Sequence, residues 1–339
     1  MRGCVWRLAM GMSLLMMGCG GGAGGAAASG SNASRLLQAD AAAGGGLSLV
    51  VPVDDHEVLG PFATWADARR DYGAKGDGVS DDTDALQQAL DDLGPKTPGL
   101  YLPAGRYRIT RSLQLKGSPT GGFWLGGVNI MGESPDTTRI VWAGAVGEPM
   151  LVQDGGFNTR YSRITWDGQG RAGYGVAHWW NAQSGRQFDG SPEHTDEVFT
   201  DMGIGIMAGR MGAAYGQMNS EGQVRRVRFV RMSQSGVNTG SWNALNWWVW
   251  ESRFTDCARG VSNVFTVGDV ANPGPGAGAV HVYRSVFERS TVSDVHIANT
   301  GFFSMQHNVS SGSRRFFVGE GMGTNNASIV IQEIGRAHV

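Results

Sequence analysis

Cysteine is scarce in this chain. There are three cysteines in 339 residues, and two of them, Cys4 and Cys19, lie at the extreme N-terminus. Cys257 is then the only ordinary thiol, which excludes an intrachain disulfide framework. A nucleophilic role for Cys257 would need a partner base, and none can be identified, so we predict a small buried core side chain.

Positive charge is also limited. No lysine follows Lys116, and the 28 Lys and Arg residues are outnumbered by 30 Asp and Glu, which gives a formal net charge of −2. A nucleic-acid partner would require a basic patch on the protein. The sequence shows no such patch, so we predict that nucleic acid is not a partner.

The N-terminal apolar stretch, Leu8 to Met17, is too short to span a bilayer. It follows two arginines and has the length of the apolar part of an export signal, so residues 1–18 are predicted to be a signal peptide. The run Met16-Met-Gly-Cys19 resembles a bacterial lipobox. Lipidation of Cys19 would anchor the protein to the bacterial membrane; ordinary secretion is the alternative. Residues 19–60, rich in Gly, Ala and Ser, would form a flexible tether.

Glycine, in contrast, is abundant, with 54 residues. Several glycines lie in Asp71–Leu90, where the pattern predicts a tight turn followed by a helix that Ser80 or Asp81 caps. Leucine and alanine at helical spacing then give the helix one apolar face, and Gly94-Pro95 ends it. Leu100–Ile109 is predicted to contain the first strands, separated by a turn.

The segments Asp71–Leu90 and Leu100–Ile109 together resemble the N-terminal signature of the pectate-lyase-like superfamily. The resemblance implies an all-β solenoid: a right-handed parallel β-helix with an N-terminal capping α-helix, spanning residues 61–332. It also implies an exported protein that acts on polysaccharides. The helix would close the open edge of the first coil. Asp81, Asp82 and Asp84 are accordingly interpreted as capping residues and not as a catalytic acid cluster.

The resemblance indicates a fold more than a reaction. The sequence contains no Gly-His-Gly with a downstream Arg-Ile-Lys, as in polygalacturonases, and no Arg-x-Pro-x-x-Arg, as in pectate lyases. The C-terminal residues 333–339 also match what a common sequencing adapter would encode. We therefore expect the natural protein to continue past Gln332.

A loose repeat follows Arg163. Phe229, Phe254 and Phe287 begin similar segments 25 and 33 residues apart, which is typical of a solenoid and less consistent with a β-propeller or sandwich. Equivalent residues of adjacent coils should lie roughly 4.8 Å apart. This spacing predicts two charged rows in which a carboxylate lies between guanidinium groups: Arg226, Glu251 and Arg284, and Arg231, Asp256 and Arg289.

The segment Gly170–Gln223 departs most from the repeat spacing and is rich in polar, aromatic and acidic residues. A loop of this composition on a rigid scaffold is typical of a functional site. Glycoside hydrolysis needs two carboxyl groups at a defined separation. Asp196, Glu197 and Asp201 are the predicted catalytic acids, chosen because they lack an obvious partner in the sequence.

Aromatic side chains suit sugars, which present apolar C–H faces and polar hydroxyls. The predicted substrate-binding residues are Trp179, Trp180, Trp242, Trp247, His178 and His281. Trp248 and Trp250 share the strand parity of Phe254 and are predicted to lie in the core.

Several functions remain open at this point. We favour a polysaccharide hydrolase, because the insert is rich in acids and no lysine is available as a base. In a lyase the base would be Arg, His or Tyr, with His281, Tyr283 and His296 as candidates, and Ca²⁺ could assist. No cofactor or metal site is otherwise evident. A non-catalytic glycan-binding solenoid and a tailspike-like phage depolymerase are the remaining alternatives; the export leader disfavours the latter.

Overall fold

The structure is a computed structural model that describes residues 60–118, 126–180, 184–209, 219–240, 244–267, 270–273, 279–298, 302–320, 328–332 and 335–336. These residues lie within one compact unit, Ser48–Val339. The predicted signal peptide, the lipidation site, the tether up to residue 59 and most of 333–339 fall outside the described residues. Among those that are described, no helix is long and apolar enough to cross a membrane.

Successive coils each contribute strands to parallel stacks, which we call face 1, face 2 and face 3. Face 1 is a ten-stranded sheet in which every pair is parallel. Its strands are β1 (Ala66–Asp67), β3 (Gly99–Leu102), β6 (Asn129–Gly132), β10 (Arg160–Ser162), β14 (Glu193–Thr195), β17 (Gln223–Arg225), β19 (Trp247–Trp250), β24 (Ala279–Tyr283), β27 (Phe302–Gln306) and β30 (Ser328–Gln332).

Faces 2 and 3 form one sixteen-stranded sheet, because β15 and β18 are long enough to run through both. Face 2 comprises β2 (Asp77–Asp81), β4 (Gly105–Ile109), β7 (Thr138–Trp142), β11 (Thr165–Asp167), the first parts of β15 (Val198–Ala208) and β18 (Arg228–Asn238), β20 (Arg253–Thr255), β25 (Val286–Glu288), β28 (Val309–Ser311) and β31 (Gly335–Arg336). Face 3 comprises β5 (Leu113–Lys116), β8 (Pro149–Asp154), β12 (Tyr174–His178), the last parts of β15 and β18, β21 (Arg259–Ser262), β26 (Ser293–Ala298) and β29 (Phe317–Glu320).

Two small sheets and one helix complete the described chain. A parallel three-stranded sheet contains β9 (Gly156–Phe157), β13 (Asp189–Gly190) and β16 (Asn219–Ser220), and an antiparallel pair contains β22 (Val264–Val267) and β23 (Val270–Pro273). Helix α1 (Thr83–Asp91) buries Leu86 and Leu90 against the first coils. The N-cap residue is Asp82, whose side chain makes no capping hydrogen bond, so the prediction that Ser80 or Asp81 caps the helix is wrong; the Asp81 carboxylate instead accepts the backbone N–H of Thr83, the first helical residue. The predicted parallel β-helix with an N-terminal helix is confirmed.

Aromatic stacking organises the core along face 2. The ring centroids of Phe229 and Phe254 are 4.8 Å apart, as are those of Phe254 and Phe287, and all three rings are buried. Glycines lie opposite: a Cβ at Gly236 would be 2.5 Å from the Phe254 ring. The same close approach recurs in neighbouring coils, at Gly175, Gly205 and Gly260. In these coils a large aromatic side chain on face 2 therefore packs against a glycine on face 3, which has no side chain.

The turns between faces use left-handed backbone at non-glycine residues. Such residues recur at equivalent positions in successive coils. Their backbone N–H groups donate to the next coil, as that of Arg226 does to the Trp250 carbonyl. Between faces 1 and 2 these residues are Arg163, Asp196, Arg226, Glu251, Arg284 and His307. Between faces 2 and 3 they include Asp201, Arg231, Asp256 and Arg289. These single-residue turns explain why strand parity cannot be carried from one face to the next.

Candidate functional site

The sequence suggested that the segment Gly170–Gln223 is an external loop, and its described residues show otherwise. Its described residues form regular coil strands, β12 to β16, that pair with the coils on either side. The polar residues that obscured the repeat point into the core. The polar character of these described residues therefore reflects a buried network and not a loop, contrary to the prediction.

Four titratable side chains form a continuous hydrogen-bonded chain inside the β-helix. His178 Nδ1 lies 3.0 Å from Asp189 Oδ2, and His178 Nε2 lies 2.9 Å from His194 Nε2. His194 Nδ1 lies 2.7 Å from Glu197 Oε2. All four residues are fully buried. We call this chain, Asp189–His178–His194–Glu197, the buried network.

The remaining carboxylate oxygens of the buried network also have partners. Trp166 donates its indole N–H to Glu197 Oε1 at 2.7 Å, and Gln153 donates to Asp189 Oδ1 at 2.6 Å. Tyr161 in turn donates to Gln153 at 2.7 Å. These neighbours fix the two ends of the chain, so each end must interact with its histidine through one defined oxygen.

Burial governs the protonation of these groups. It raises the pKa of Glu197 to about 8 and raises the pKa of Asp189, because the ionised carboxylates lose their hydration. It also lowers the pKa of His194 well below its usual value, and His178 adds to this effect. Glu197 is therefore protonated and His194 is neutral near pH 7.

Proton counting gives the buried network a direction. Three hydrogen bonds require three protons, so the four groups together carry one negative charge. Glu197 donates to His194 Nδ1, His194 donates from Nε2 to His178, and His178 donates from Nδ1 to Asp189. This arrangement satisfies every partner, with Asp189 as the anion.

The buried network predicts how stability depends on pH. The folded-state pKa of Glu197 is raised, so its contribution is full below its ordinary pKa and is lost as pH rises through about 8. The pKa of His194 is lowered, so its contribution is present above its ordinary pKa and is lost as pH falls. The free energy of unfolding, measured in urea, should therefore be highest between about pH 4.5 and 6.5 and fall on both sides.

The Glu197→Gln variant is the control for this prediction. Glutamine donates to His194 as the protonated acid does but cannot ionise, so the decline of stability between about pH 6.5 and 8 should largely disappear. An unchanged alkaline decline in this variant would show that Glu197 does not cause it.

Asp196 and Asp201 are not unpaired acids, in contrast to the sequence-based expectation. Arg226 binds Asp196 through two hydrogen bonds of 2.7 and 2.9 Å. Arg231 binds Asp201 in the same way at 2.6 and 2.7 Å, and this contact lowers the pKa of Asp201. Glu197 is paired inside the core. A catalytic role for Asp196, Glu197 and Asp201 stays a prediction. In the structure, all three carboxyl groups are held in contacts with other side chains.

The two predicted charged rows are present and are longer than expected. Arg284 contacts Glu251 at 2.9 Å, and Arg289 binds Asp256 at 2.7 and 3.0 Å. The Arg289 guanidinium lowers the pKa of Asp256, and Arg231 reinforces the effect. Each row extends by one coil toward the N-terminus, to Asp196 and Asp201. Both rows occupy the left-handed turn positions, so alternating charge stabilises the stacked turns.

Neighbouring tryptophans of β19 lie on opposite sides of face 1, so the aromatic predictions have different outcomes. Trp247 is fully buried and donates to a backbone carbonyl, so it is a core residue. Trp248 and Trp250 point outward and are half-buried, contrary to the prediction. The parity argument failed because the left-handed Glu251 turn intervenes between β19 and β20. Trp242 lies outside the described residues.

The other predicted substrate-binding residues have mixed positions. His178 belongs to the buried network, so it cannot touch a polymer on the outer surface. Trp179 and Trp180 are half-buried at the end of β12, where Trp180 donates to the Arg186 carbonyl at 3.0 Å. His281 is outward on face 1. Cys257 is buried, and burial raises its pKa to about 12, which suits the predicted core role.

The outer side of face 3 is lined by covered side chains. Val237 and Val261 pair in register and point into the core, so the residues that follow them point outward. This outward row is apolar at one end and polar at the other, and nearly all of it is buried: Ala177, Met207, Asn238, Ser262 and His296. This row faces outward from the sheet and is nevertheless buried, so it lies below the protein surface; we call it the face 3 floor.

Three charged or titratable groups meet on the face 3 floor. Arg259 donates from Nε to His296 Nδ1 at 3.2 Å, and His296 Nε2 lies 3.1 Å from Glu320 Oε1. The second contact is close but poorly aligned for a hydrogen bond. Burial lowers the pKa of His296, and the Arg259 charge lowers it further, while Glu320 opposes the shift. His296 is therefore neutral near pH 7. From the sequence, His296 was a candidate only for the base of the alternative lyase reaction.

Aromatic side chains stand at the other end of the same floor. Tyr174 and Trp179 meet edge to face with ring centroids 5.2 Å apart, and both pack on Ile204 and Met207. The floor thus combines an aromatic end with a polar end. Within the described ranges, no three His, Cys, Asp or Glu side chains are arranged to hold one metal ion.

Comparison with known proteins finds similarity to one family model and to two curated enzymes. Residues 65–184 match the family described as rhamnogalacturonase A/epimerase, pectate lyase-like. Alginate lyase 7 of Azotobacter vinelandii is 29% identical over 161 residues, which are 47% of this chain and 16% of that protein. Mannuronan C5-epimerase AlgE1 of the same organism is 55% identical over 42 residues, 12% of this chain and 3% of the epimerase.

The tailspike protein of Acinetobacter baumannii phage AM24 has a similar fold. The TM-score is 0.51 at 13% sequence identity, over 82% of this chain and 45% of the tailspike. The chain spans only small parts of the two curated relatives named above. The fold is that of a parallel β-helix, and the match over residues 65–184 agrees with the resemblance to the pectate-lyase-like superfamily seen in Asp71–Ile109.

Proposed function

We propose that the protein acts on an acidic polysaccharide held on the face 3 floor, with Arg259 binding a sugar carboxylate and His296 removing a proton beside it. The observation that carries this proposal is the contact of a neutral histidine with a buried arginine on a recessed outer surface. The names of the relatives, an alginate lyase and a mannuronan epimerase, support a polymer of sugar acids as the substrate.

The chemistry follows from the protonation of these groups. Arg259 neutralises the negative charge of a carboxylate bound to it. Less repulsion then opposes the negative charge that develops when the adjacent carbon loses its proton, so this hydrogen becomes more acidic. His296 is neutral because its pKa is lowered, and when Arg259 turns from Nδ1 to the sugar carboxylate, the freed Nδ1 lone pair can accept this proton as a general base. Glu320 lies beside Nε2 and stabilises the imidazolium that forms.

The proton transfer leads to cleavage by β-elimination. The electron pair left on carbon forms a double bond to the neighbouring carbon, and the bond from that carbon to the glycosidic oxygen breaks. The oxygen leaves with a proton from water, so atoms and charge balance. Return of a proton to the opposite side of the same carbon would instead invert it. Both outcomes begin with the step assigned to His296.

The sequence favoured a hydrolase, whereas this proposal favours a lyase. Hydrolysis needs two accessible carboxyl groups about 5 to 9.5 Å apart. The predicted acids are held by Arg226 and Arg231 or buried with His194. The described geometry therefore favours the lyase alternative, with His296 as the base.

The His296→Gln variant tests the proposal. Glutamine keeps a polar side chain but cannot act as a base, so kcat on mannuronan should fall by about 100-fold or more. Product analysis by mass spectrometry should show unsaturated fragments from the unaltered protein. The acidic limb of the pH–rate profile should lie below the ordinary histidine pKa, since the pKa of His296 is lowered.

A matched histidine substitution provides the control. His307 is exposed at a left-handed turn, a conformation that asparagine tolerates, so His307→Asn should leave turnover unchanged. Fragments that have gained water, or full turnover by His296→Gln, would contradict the proposed reaction.

A further inference from the structure

The outer side of face 1 carries a second cluster of aromatic and polar side chains, in the same coils as Arg259, His296 and Glu320 but on a different face. Trp248, His281 and Ser304 form one outward row across three neighbouring strands, and Trp250, Tyr283 and Gln306 form the next. All are half-buried, so each presents part of its surface to solvent. We call these residues the face 1 cluster.

Stacking holds the rings of the face 1 cluster in fixed orientations. Trp248 stacks on His281 with ring centroids 5.4 Å apart and an interplanar angle of 18°. His281 is also nearly parallel to Tyr283, with an angle of 17°, while Trp250 stands edge-on to Tyr283 at 90°. Trp248 and His281 therefore cover one face of each other, and the opposite face of Trp248, on the side of Gln223, is the one that could receive the C–H face of a sugar ring.

Hydrogen bonds fix the polar groups beside this surface. The Ser304 hydroxyl lies 2.7 Å from His281 Nδ1 and 2.6 Å from the Tyr283 hydroxyl. Burial lowers the pKa of His281, so the ring is neutral near pH 7 and carries one proton. When Ser304 donates to Nδ1, it accepts from Tyr283, and His281 keeps its proton on Nε2. The cluster then offers both a donor and an acceptor to sugar hydroxyls.

The charges at the edge of the cluster favour an acidic ligand. Arg225 and Arg284 both contact the Glu251 carboxylate, at 3.4 and 2.9 Å. These three groups carry one net positive charge. Arg225 precedes Trp250 in the same outward row, so the positive charge lies along the line that a polymer would follow from coil to coil.

We propose that the face 1 cluster is a second, non-catalytic binding site for a polyuronate chain, in which a sugar ring stacks on Trp248 and its hydroxyls bind Tyr283 and Ser304. The choice of an acidic polymer rests on the proposed function; the stacking surface does not. A site on a different face from the floor would retain the polymer between successive reactions.

Affinity electrophoresis in gels containing mannuronan tests this site. The His296→Gln protein is used as the background, so that the polymer is not degraded during the run. Adding Trp248→Ala should weaken retention by about tenfold, because the stacking surface is lost. Tyr283→Phe removes only the hydroxyl and should weaken retention severalfold. Thermal unfolding verifies that each variant folds. If Trp248→Ala does not fold, the retention of Tyr283→Phe alone tests the face 1 site.

The outcomes separate the two proposals. Unchanged retention on losing Trp248 or the Tyr283 hydroxyl overturns the face 1 site, even if His296→Gln has lost turnover. Weaker retention together with no turnover by the unaltered protein supports the face 1 site and contradicts the catalytic proposal. Absence of mannuronan retention by the His296→Gln protein also overturns the face 1 site. In the otherwise unaltered protein, Trp248→Ala should raise KM for the long polymer and leave kcat unchanged.

Discussion

Replacing Glu197 with alanine should destabilise the fold by about 3–5 kcal/mol. The substitution leaves the Trp166 indole N–H and His194 Nδ1 without their partner, in a region from which water is excluded. It also opens a cavity that the packed rings cannot fill. Urea unfolding at pH 6, monitored by tryptophan fluorescence, measures the loss.

Glu197→Gln is the matched control, and its expected cost is less than about 1 kcal/mol at the same pH. Its amide donates to His194 and accepts from Trp166, as the protonated acid does. A cost equal to that of alanine would show that Glu197 is ionised in the folded state and would contradict the proton arrangement of the buried network.

A double substitution tests the arrangement more strictly. Asp189→Asn alone can reverse the chain, with Glu197 becoming the anion. Combined with Glu197→Gln, it places an amide donor at both ends, so His178 and His194 must both carry protons on the nitrogens that face each other. The double variant should therefore be less stable than the sum of the single effects by about 2 kcal/mol. Additive behaviour would exclude the three-proton chain.

Replacing Gly236 with alanine should cost about 3 kcal/mol or more. The added Cβ would lie 2.5 Å from the Phe254 ring and 2.9 Å from the Gly260 carbonyl oxygen. The ring cannot retreat, because it is stacked between Phe229 and Phe287. Neighbouring coils would have to separate, which breaks ladder hydrogen bonds. The midpoint of urea unfolding measures the effect.

Gly94 provides the comparison at a glycine outside the core. No atom lies within 4 Å of a Cβ placed there, so Gly94→Ala should change the free energy of unfolding by less than about 0.5 kcal/mol. Equal losses of stability at Gly94 and Gly236 would show that the close approach to Phe254 does not cause the effect.

Local patterns were sufficient to predict the solenoid. The repeat of Phe229, Phe254 and Phe287 gave the register that the strands adopt, because one coil can bury its apolar face only on the next. The helix at Thr83–Asp91 followed from its apolar spacing. The charged rows were also foreseeable, since equivalent positions in adjacent coils must be neighbours.

Site geometry was less accessible from the sequence. All four members of the buried network lie in the segment that was taken for a loop, because inward polar residues disguise the strand pattern. Trp247 and Trp248 were assigned to the wrong sides, because a one-residue left-handed turn changes the parity. His296 and Arg259 are 37 residues apart in the chain, and no local spacing reveals their contact.

The sequence by itself determined a stack of parallel coils closed by a helix, because apolar periodicity and turn chemistry act between near neighbours in the chain. The tertiary structure alone decided which side chains face inward and which meet across coils. Burial then separates residues of the same type: it places His178 in a closed proton chain, His296 beside an arginine on a recessed floor, and His281 on a half-exposed stacking surface. Solvent exposure and partners set the chemistry of each histidine, and both arise only when distant coils pack together.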